Sequence, residues 1–219
     1  MFNYEEMKNK IILADCMDIM KDIPDKYFEL AIVDPPYGIE RFKKCCENND
    51  INTRDVFANK FLNNDKFNNT KPDKLYFDLL MRISKNQIIW GANNFELPPS
   101  EYFCCWNKEQ AMPNFATLEY AWVSMGLKKP AKLFTYSIQK HNQENKIHPT
   151  QKPIALYRWL LQNYAKPGDK IIDTHSGSGS CAIACHLEKF EFLAIEKDED
   201  YYKSSVERLD TLRSQGVLF

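Results

Sequence analysis

Only seven of the 219 residues are glycine, and two of those seven fall within three positions of each other, at Gly177 and Gly179. No apolar run is long enough to span a bilayer, which excludes a helical membrane protein by this reading. There is no excess of either charge: 29 basic against 30 acidic residues leave a formal net charge of -1. Any affinity for a polyanion must therefore come from a local surface. No Gly-Lys-Ser/Thr phosphate loop is present, and none of the 11 prolines is followed by cysteine. The second absence excludes a Pro-Cys nucleophile of the kind used on ring carbons. The seven cysteines are odd in number, no signal peptide precedes them, and no Cys/His pairs have zinc-site spacing. Reduced thiols, a cytoplasmic location and no metal are the expectation.

What is present points to an α/β chain. Short apolar strands at Lys10–Ala14, Leu30–Val33, Gln87–Trp90, Tyr102–Trp106, Ala131–Tyr136, Lys170–Asp173 and Phe190–Ile195 alternate with amphipathic helices. That alternation predicts a mostly parallel sheet of seven strands with helices on both faces, in one domain over 1–219. The helices are expected over 16–23, 73–83, 115–125, 150–164, 181–187 and 198–213. The Asn- and Lys-rich stretch 40–71 reads as a long mobile loop.

Asp34-Pro35-Pro36-Tyr37 follows the buried strand Leu30–Val33, at the strand end where open α/β sheets bind ligands. Two prolines remove two N–H donors. What remains is a carboxylate, carbonyls with no competing donor, and an aromatic face. That set suits an amino group on an aromatic ring: Asp34 and the Pro35 carbonyl accept its hydrogens while Tyr37 stacks. The exocyclic amine of a nucleobase is a poor nucleophile until its lone pair is localised and aimed.

Ile171-Ile172-Asp173, then Gly177-x-Gly179 and a helix, form a glycine-rich turn between strand and helix. Glu196 closes the next strand, where an acid binds ribose hydroxyls in nucleoside-binding folds. Ala182 stands where the dinucleotide fingerprint needs another glycine. The expected ligand is thus a nucleoside without a pyrophosphate. S-adenosyl-L-methionine fits, and brings the electrophile that the Asp-Pro-Pro-Tyr segment lacks.

Together these motifs resemble the amino-methylating DNA methyltransferases in their permuted (beta-class) order, with the catalytic tetrapeptide first and the cofactor loop late. The run from Phe103 to Trp122 and the loop Asp173-Thr174-His175-x-Gly-Ser-Gly are similar to small adenine methylases of phages and prophages. The resemblance implies a Rossmann-like methyltransferase fold and N6-adenine methylation in a bacterial or phage-infected cytoplasm, in a restriction–modification setting. Cytosine N4 uses the same geometry, and a catalytically silent DNA-binding or partner subunit is the reading from another class. The resemblance also implies that Asp15 lies beside the cofactor adenine. His148-Pro149-Thr150-Gln151-Lys152-Pro153 resembles the segment preceding the cofactor strand, with Thr150 and Lys152 near the methionine end. His175 stands where many relatives carry phenylalanine. With no separate recognition domain in sight, DNA contacts fall to the loop 40–70, with Lys43 and Lys44, and to 107–149, with Lys128, Lys129, Lys140, His141 and Lys146. The implied partner is double-stranded DNA with the target base swung out, and a homodimer is within the family's habit.

Overall fold

A computed structural model describes residues 2–38, 70–110, 116–142, 146–148 and 150–215. The expected loop over 40–71, with Lys43 and Lys44, lies almost wholly outside the described residues.

The described elements, in chain order, are α1 (Tyr4–Met7), β1 (Lys10–Leu13), α2 (Cys16–Asp22), β2 (Phe28–Val33), α3 (Lys74–Ile83), β3 (Ser84–Trp90), β4 (Phe103–Asn107), β5 (Leu118–Val123), β6 (Lys132–Thr135), α4 (Ile138–Asn142), α5 (Ile154–Tyr164), β7 (Lys170–Asp173), α6 (Ser180–Leu187), β8 (Glu191–Glu196) and α7 (Glu199–Ser214). They build an eight-stranded sheet in the order β1-β8-β7-β2-β3-β5-β4-β6, one strand more than the sequence predicts. All neighbours run parallel except around β5, which is antiparallel to both β3 and β4.

β5 is the main correction to the sequence reading. The segment 115–125 predicts a helix because Leu118 and Trp122 are four apart. In the structure Leu118–Val123 is a strand, with Ala121 paired to Cys104 on one side and Trp90 on the other. Strict alternation fits the same residues, and pairing with two ready strands decides between the periods. The helix predicted from Thr150 begins at Ile154 instead, because Pro153 takes the N-cap position, where its missing N–H costs nothing.

The core has two layers, one on each face of the sheet. Leu30, Ile32, Ile88, Trp90, Cys104 and Trp106 face α5 and α6. Ala31, Val33, Ile89, Ile172 and Ile195 face α2 and α3. Alternate residues of one strand thus enter opposite layers, as the pleat requires. Among the described residues, no helix is long and apolar enough to cross a membrane.

The strand order sets the place of the site. β2 and β7 are neighbours, with Leu30 opposite Ile171 and Ala31 opposite Ile172. The chain leaves β2 toward β3 on one side and leaves β7 toward β8 on the other. The connections therefore diverge and open a crevice beyond the strand ends, the topological switch point of an open α/β sheet.

Candidate active site

Asp34-Pro35-Pro36-Tyr37 follows β2 directly and Thr174–Gly179 follows β7 directly, so both motifs meet at the switch point. They border a cleft of about 580 Å³, within the range of small-molecule sites. Asp15, Asp34, Pro36, Thr150, Lys152, His175, Gly177 and Glu196 all line it. The five chain segments that carry these residues, separated by up to 181 positions from Asp15 to Glu196, share one surface with a sixth, Thr70–Asp73 and Tyr76.

Two residues expected at the ligand lie behind the cleft wall. Asp173 is buried at the end of β7, and its Oδ1 accepts the His175 N–H at 3.1 Å. Burial pushes its carboxyl up to about 8. Gly179 (φ +73°) fits against Ile11 and Ser205, and a Cβ there would stand 3.1 Å from each. Its small size serves the packing of the loop on β1 and α7. Gly177 (φ +50°) does border the cleft, where the nearest neighbour of a Cβ would be the His148 ring at 3.5 Å.

Two acids of the cleft, on the neighbouring ends of β1 and β8, are fixed by backbone amides. Glu196 Oε2 accepts the Gly177 N–H at 2.6 Å, and its Oε1 accepts the N–H groups of Lys197 and Asp198 at 3.0 and 2.9 Å. Asp15 caps α2 through Met17 N–H at 2.8 Å. His175 Nδ1 lies 3.0 Å from Thr174 Oγ1 and its ring packs edge-on against Tyr76 of α3. A polar ring is thus accommodated by polar neighbours. Burial pushes both His148 and His175 down to about 4, so both are neutral near pH 7.

The tetrapeptide sits in a chain of ion pairs that sequence reasoning missed in part. Tyr37 Oη donates to Asp34 Oδ1 at 2.5 Å. Lys152 Nζ donates to Asp34 Oδ2 and, at 3.1 Å, to Tyr37 Oη. The same ammonium lies 3.1 Å from Glu119 Oε2, and Glu119 Oε1 pairs with Lys108. Lys152 retains only 4% of its surface and lies over the Trp90 ring. Burial works against its charge, but Asp34 and Glu119 outweigh that and raise its proton affinity. For Glu119, burial works against the charge and the two ammoniums outweigh it, holding the carboxyl at about 2. Burial raises Asp34, with Lys152 pulling against it.

Lys152 therefore belongs to the tetrapeptide as well as to the cleft. Glu119 and Lys108 have no forerunner among the predicted site residues. The signal was a lone acid in the apolar run Leu118–Val123, a position that buries a charge unless it has a partner.

The predicted DNA-contacting residues do not gather in one place. His141 is fully buried, its Nε2 lies 2.6 Å from the Gln151 carbonyl and its ring packs on Trp106. It supports the segment before α5 and is not a surface contact. Lys128 and Lys129 are exposed just beyond the end of β5. Because β5 is antiparallel to β3, they emerge at the opposite edge of the sheet from the cleft, near the start of β3. Lys140 is exposed after β6 has run back to the cleft end of the sheet, its ammonium over the Tyr136 ring, and Lys146 donates to Asn142 at 2.5 Å.

Residues 28–207 match the N6/N4 family described as DNA methylases. The chain belongs to that family. Among curated proteins, this methylase is 24% identical to the Type II methyltransferase M.HinfI of Haemophilus influenzae, over 96% of this chain and 71% of that one. It is 33% identical to the Type II methyltransferase M.HpaI of Haemophilus parainfluenzae over a shorter stretch, 37% of this chain and 26% of that one. Among solved structures, the methylase superposes on the M1.HpyAVI–SAM complex with a TM-score of 0.59 at 19% identity, covering 91% and 98% of the two chains. It superposes on the cytosine-N4-specific PvuII DNA methyltransferase with a TM-score of 0.57 at 11% identity, covering 94% and 91%. These likenesses establish the Rossmann-like methyltransferase fold. The methyl donor of the family's reaction is S-adenosyl-L-methionine, and the cleft offers what that ligand needs: a glycine loop, the neighbouring acids Asp15 and Glu196, and room.

Proposed function

We propose that this methylase transfers a methyl group to the N6 amine of adenine in double-stranded DNA. The observation that carries the reading is that Asp34 and the Gly177 loop border one cleft at the switch point of the sheet. An amine acceptor and a nucleoside donor can therefore meet there. When bound, S-adenosyl-L-methionine supplies a sulfonium methyl as the electrophile. Glu196 has accepting capacity left for ribose hydroxyls, Asp15 stands at the end of β1 for the adenine side, and Gly177 leaves space for close approach. Thr150, Lys152 and His175 complete the wall.

The target base must leave the duplex, since its amine is out of reach while stacked. Tyr37 offers the stacking face. Asp34 and the Pro35 carbonyl accept the amine hydrogens and turn the nitrogen lone pair toward the methyl. No covalent bond to the protein is needed. Asp at the head of the tetrapeptide is the feature that favours adenine, by resemblance. Cytosine N4 presents the same amine geometry, and the fold is shared with an N4 enzyme. Lys140, which follows β6 at the same end of the sheet as the cleft, and Lys146 suit phosphate contacts, which would make binding salt-dependent.

The test is methyl transfer from labelled S-adenosyl-L-methionine to mixed-sequence duplex DNA, with nucleoside analysis and Asp34→Ala in parallel. Label in N6-methyladenine that disappears in the variant is the expected result. Label in N4-methylcytosine would correct the base, and transfer that survives Asp34→Ala would sink the mechanism.

A further inference from the structure

Glu119 is the unexplained residue of the site. It is an acid near the start of a strand that otherwise buries Ala121, Trp122 and Val123. The reversed direction of β5 brings its first residues to the edge where β2 and β3 end, beside Asp34 and Gly91. Lys108 reaches the same edge because it follows the last residue of β4, which runs antiparallel to β5. Glu119 stands between the two ammoniums, and its Oε2 is shut off from water and lacks a well-aligned donor, although Lys152 Nζ is only 3.1 Å away. An ammonium has three N–H groups. Those of Lys152 have three acceptors around them: Asp34 Oδ2, Tyr37 Oη and Glu119 Oε2.

We propose that Glu119 is a positioning residue for the transfer step: as a second carboxylate beside the Lys152 ammonium it shares that charge with Asp34, so that the lysine fixes the carboxylate that must accept the substrate amine without neutralising it fully. The proposal rests on the reading of Asp34 as the acceptor of that amine. Two arguments carry it. The first is geometric. Without Glu119 the buried ammonium loses the carboxylate that lies 3.1 Å away, and the side chain must either fold further onto Asp34 or swing away. The second is electrostatic. Lys108, Glu119, Lys152 and Asp34 carry charges that sum to zero. In methyl transfer to an amine, the carbon–sulfur bond breaks as the carbon–nitrogen bond forms, unit positive charge passes to the nitrogen, and a proton then leaves it. A neutral cluster tolerates that charge beside Asp34, whereas a cluster left at +1 opposes it, strongly at these separations.

The experiment has a readout that needs no turnover. Lys152 acylation by an amine-reactive reagent, followed by mass spectrometry, is compared in the wild type, Glu119→Gln and Lys108→Gln, with single-turnover transfer to DNA measured alongside. The expected result is that Glu119→Gln accelerates labelling of Lys152 severalfold and slows transfer by about tenfold or more, while Lys108→Gln leaves Lys152 protected. Unchanged labelling in Glu119→Gln overturns the proposal, as does faster labelling with transfer within twofold of wild type. Equal effects of the two variants also overturn it, because they would assign Glu119 a merely structural pairing with Lys108. A wild-type chain that methylates no DNA would defeat the proposed function instead, while the labelling would still judge the hold on Lys152.

Discussion

The ring of Tyr37 occupies the space in which a side chain on Gly91 would stand: a Cβ built on Gly91 would meet Tyr37 Cε1 at 2.1 Å. Gly91 also follows β3 directly with φ +64°, a conformation that costs other residues about 1–2 kcal/mol. Gly91→Ala should therefore displace Tyr37 and break its bond to Asp34. Transfer should fall by at least about tenfold, while cofactor affinity stays near wild type because Gly91 does not border that cleft. Isothermal titration beside a single-turnover assay separates the two. Equal losses in both would show that the glycine serves the fold and not the placement of the ring.

Tyr37 has two separable parts. Its ring offers a stacking face, and base–aromatic stacking is worth about 1–3 kcal/mol. Its hydroxyl occupies Asp34 Oδ1, an atom the substrate amine needs. Tyr37→Ala should weaken productive DNA binding by about 5- to 150-fold, the fold-change equivalent of that stacking energy. Tyr37→Phe keeps the ring and frees Asp34, so it should retain most of the activity. Loss of transfer in Tyr37→Phe as deep as in Tyr37→Ala would assign the hydroxyl a direct part in the chemistry.

Lys152→Met tests the ion-pair chain as a structural element. The substitution leaves Asp34 and Glu119 facing a site without its cation. Removing one partner of a buried pair costs about 3–5 kcal/mol. The same substitution made together with Asp34→Asn should cost less than the sum of the two singles, since one stranded charge is then gone. Urea denaturation of the four proteins gives the coupling directly. Additive costs would mean that the contact is geometric only.

Asp173 makes a pH prediction. Its carboxyl is pushed by burial from an ordinary value of 3.8 up to about 8. The folded chain thus holds a proton that the unfolded chain releases above about pH 4. Stability from this group is full below the unfolded value and is lost as pH rises through about 8. Asp173→Asn keeps an acceptor for the His175 N–H and removes the titration. Its stability relative to wild type should rise with pH, with a gain of a few kcal/mol at most near pH 8 and little near pH 4. Thermal unfolding across that range decides, and a gain independent of pH would place the proton elsewhere.

The motifs were legible because their chemistry is local in sequence. A buried strand ending in Asp-Pro-Pro-Tyr and a strand ending in a glycine turn can be read from a dozen residues each, and the switch point then brings them together. Glu119 could not be read that way. Its role depends on β5 running antiparallel, and the period of Leu118–Val123 fits both helix and strand. The same reversal explains why Lys128 and Lys129, adjacent in sequence to a basic segment at the site, emerge at the far edge. His141 misled for a different reason: a histidine among lysines reads as surface, yet here it ties Gln151 and Trp106 together from inside.

The two glycines of the cofactor loop give a crossed prediction. Both have positive φ, so either change to alanine incurs about 1–2 kcal/mol of backbone strain. Beyond that they differ. At Gly179 the new methyl would press on Ile11 and Ser205 at 3.1 Å, and overpacking of this kind adds about 1–3 kcal/mol. At Gly177 it would meet nothing closer than the His148 ring at 3.5 Å, but it would stand on the wall of the cleft. Gly179→Ala should therefore be the less stable variant, and Gly177→Ala the weaker binder of S-adenosyl-L-methionine. Melting temperatures and cofactor titrations of both variants should rank them in opposite orders. The same ranking in both measurements would mean that the motif acts as one unit, and the division between a packing glycine and a ligand glycine would fall.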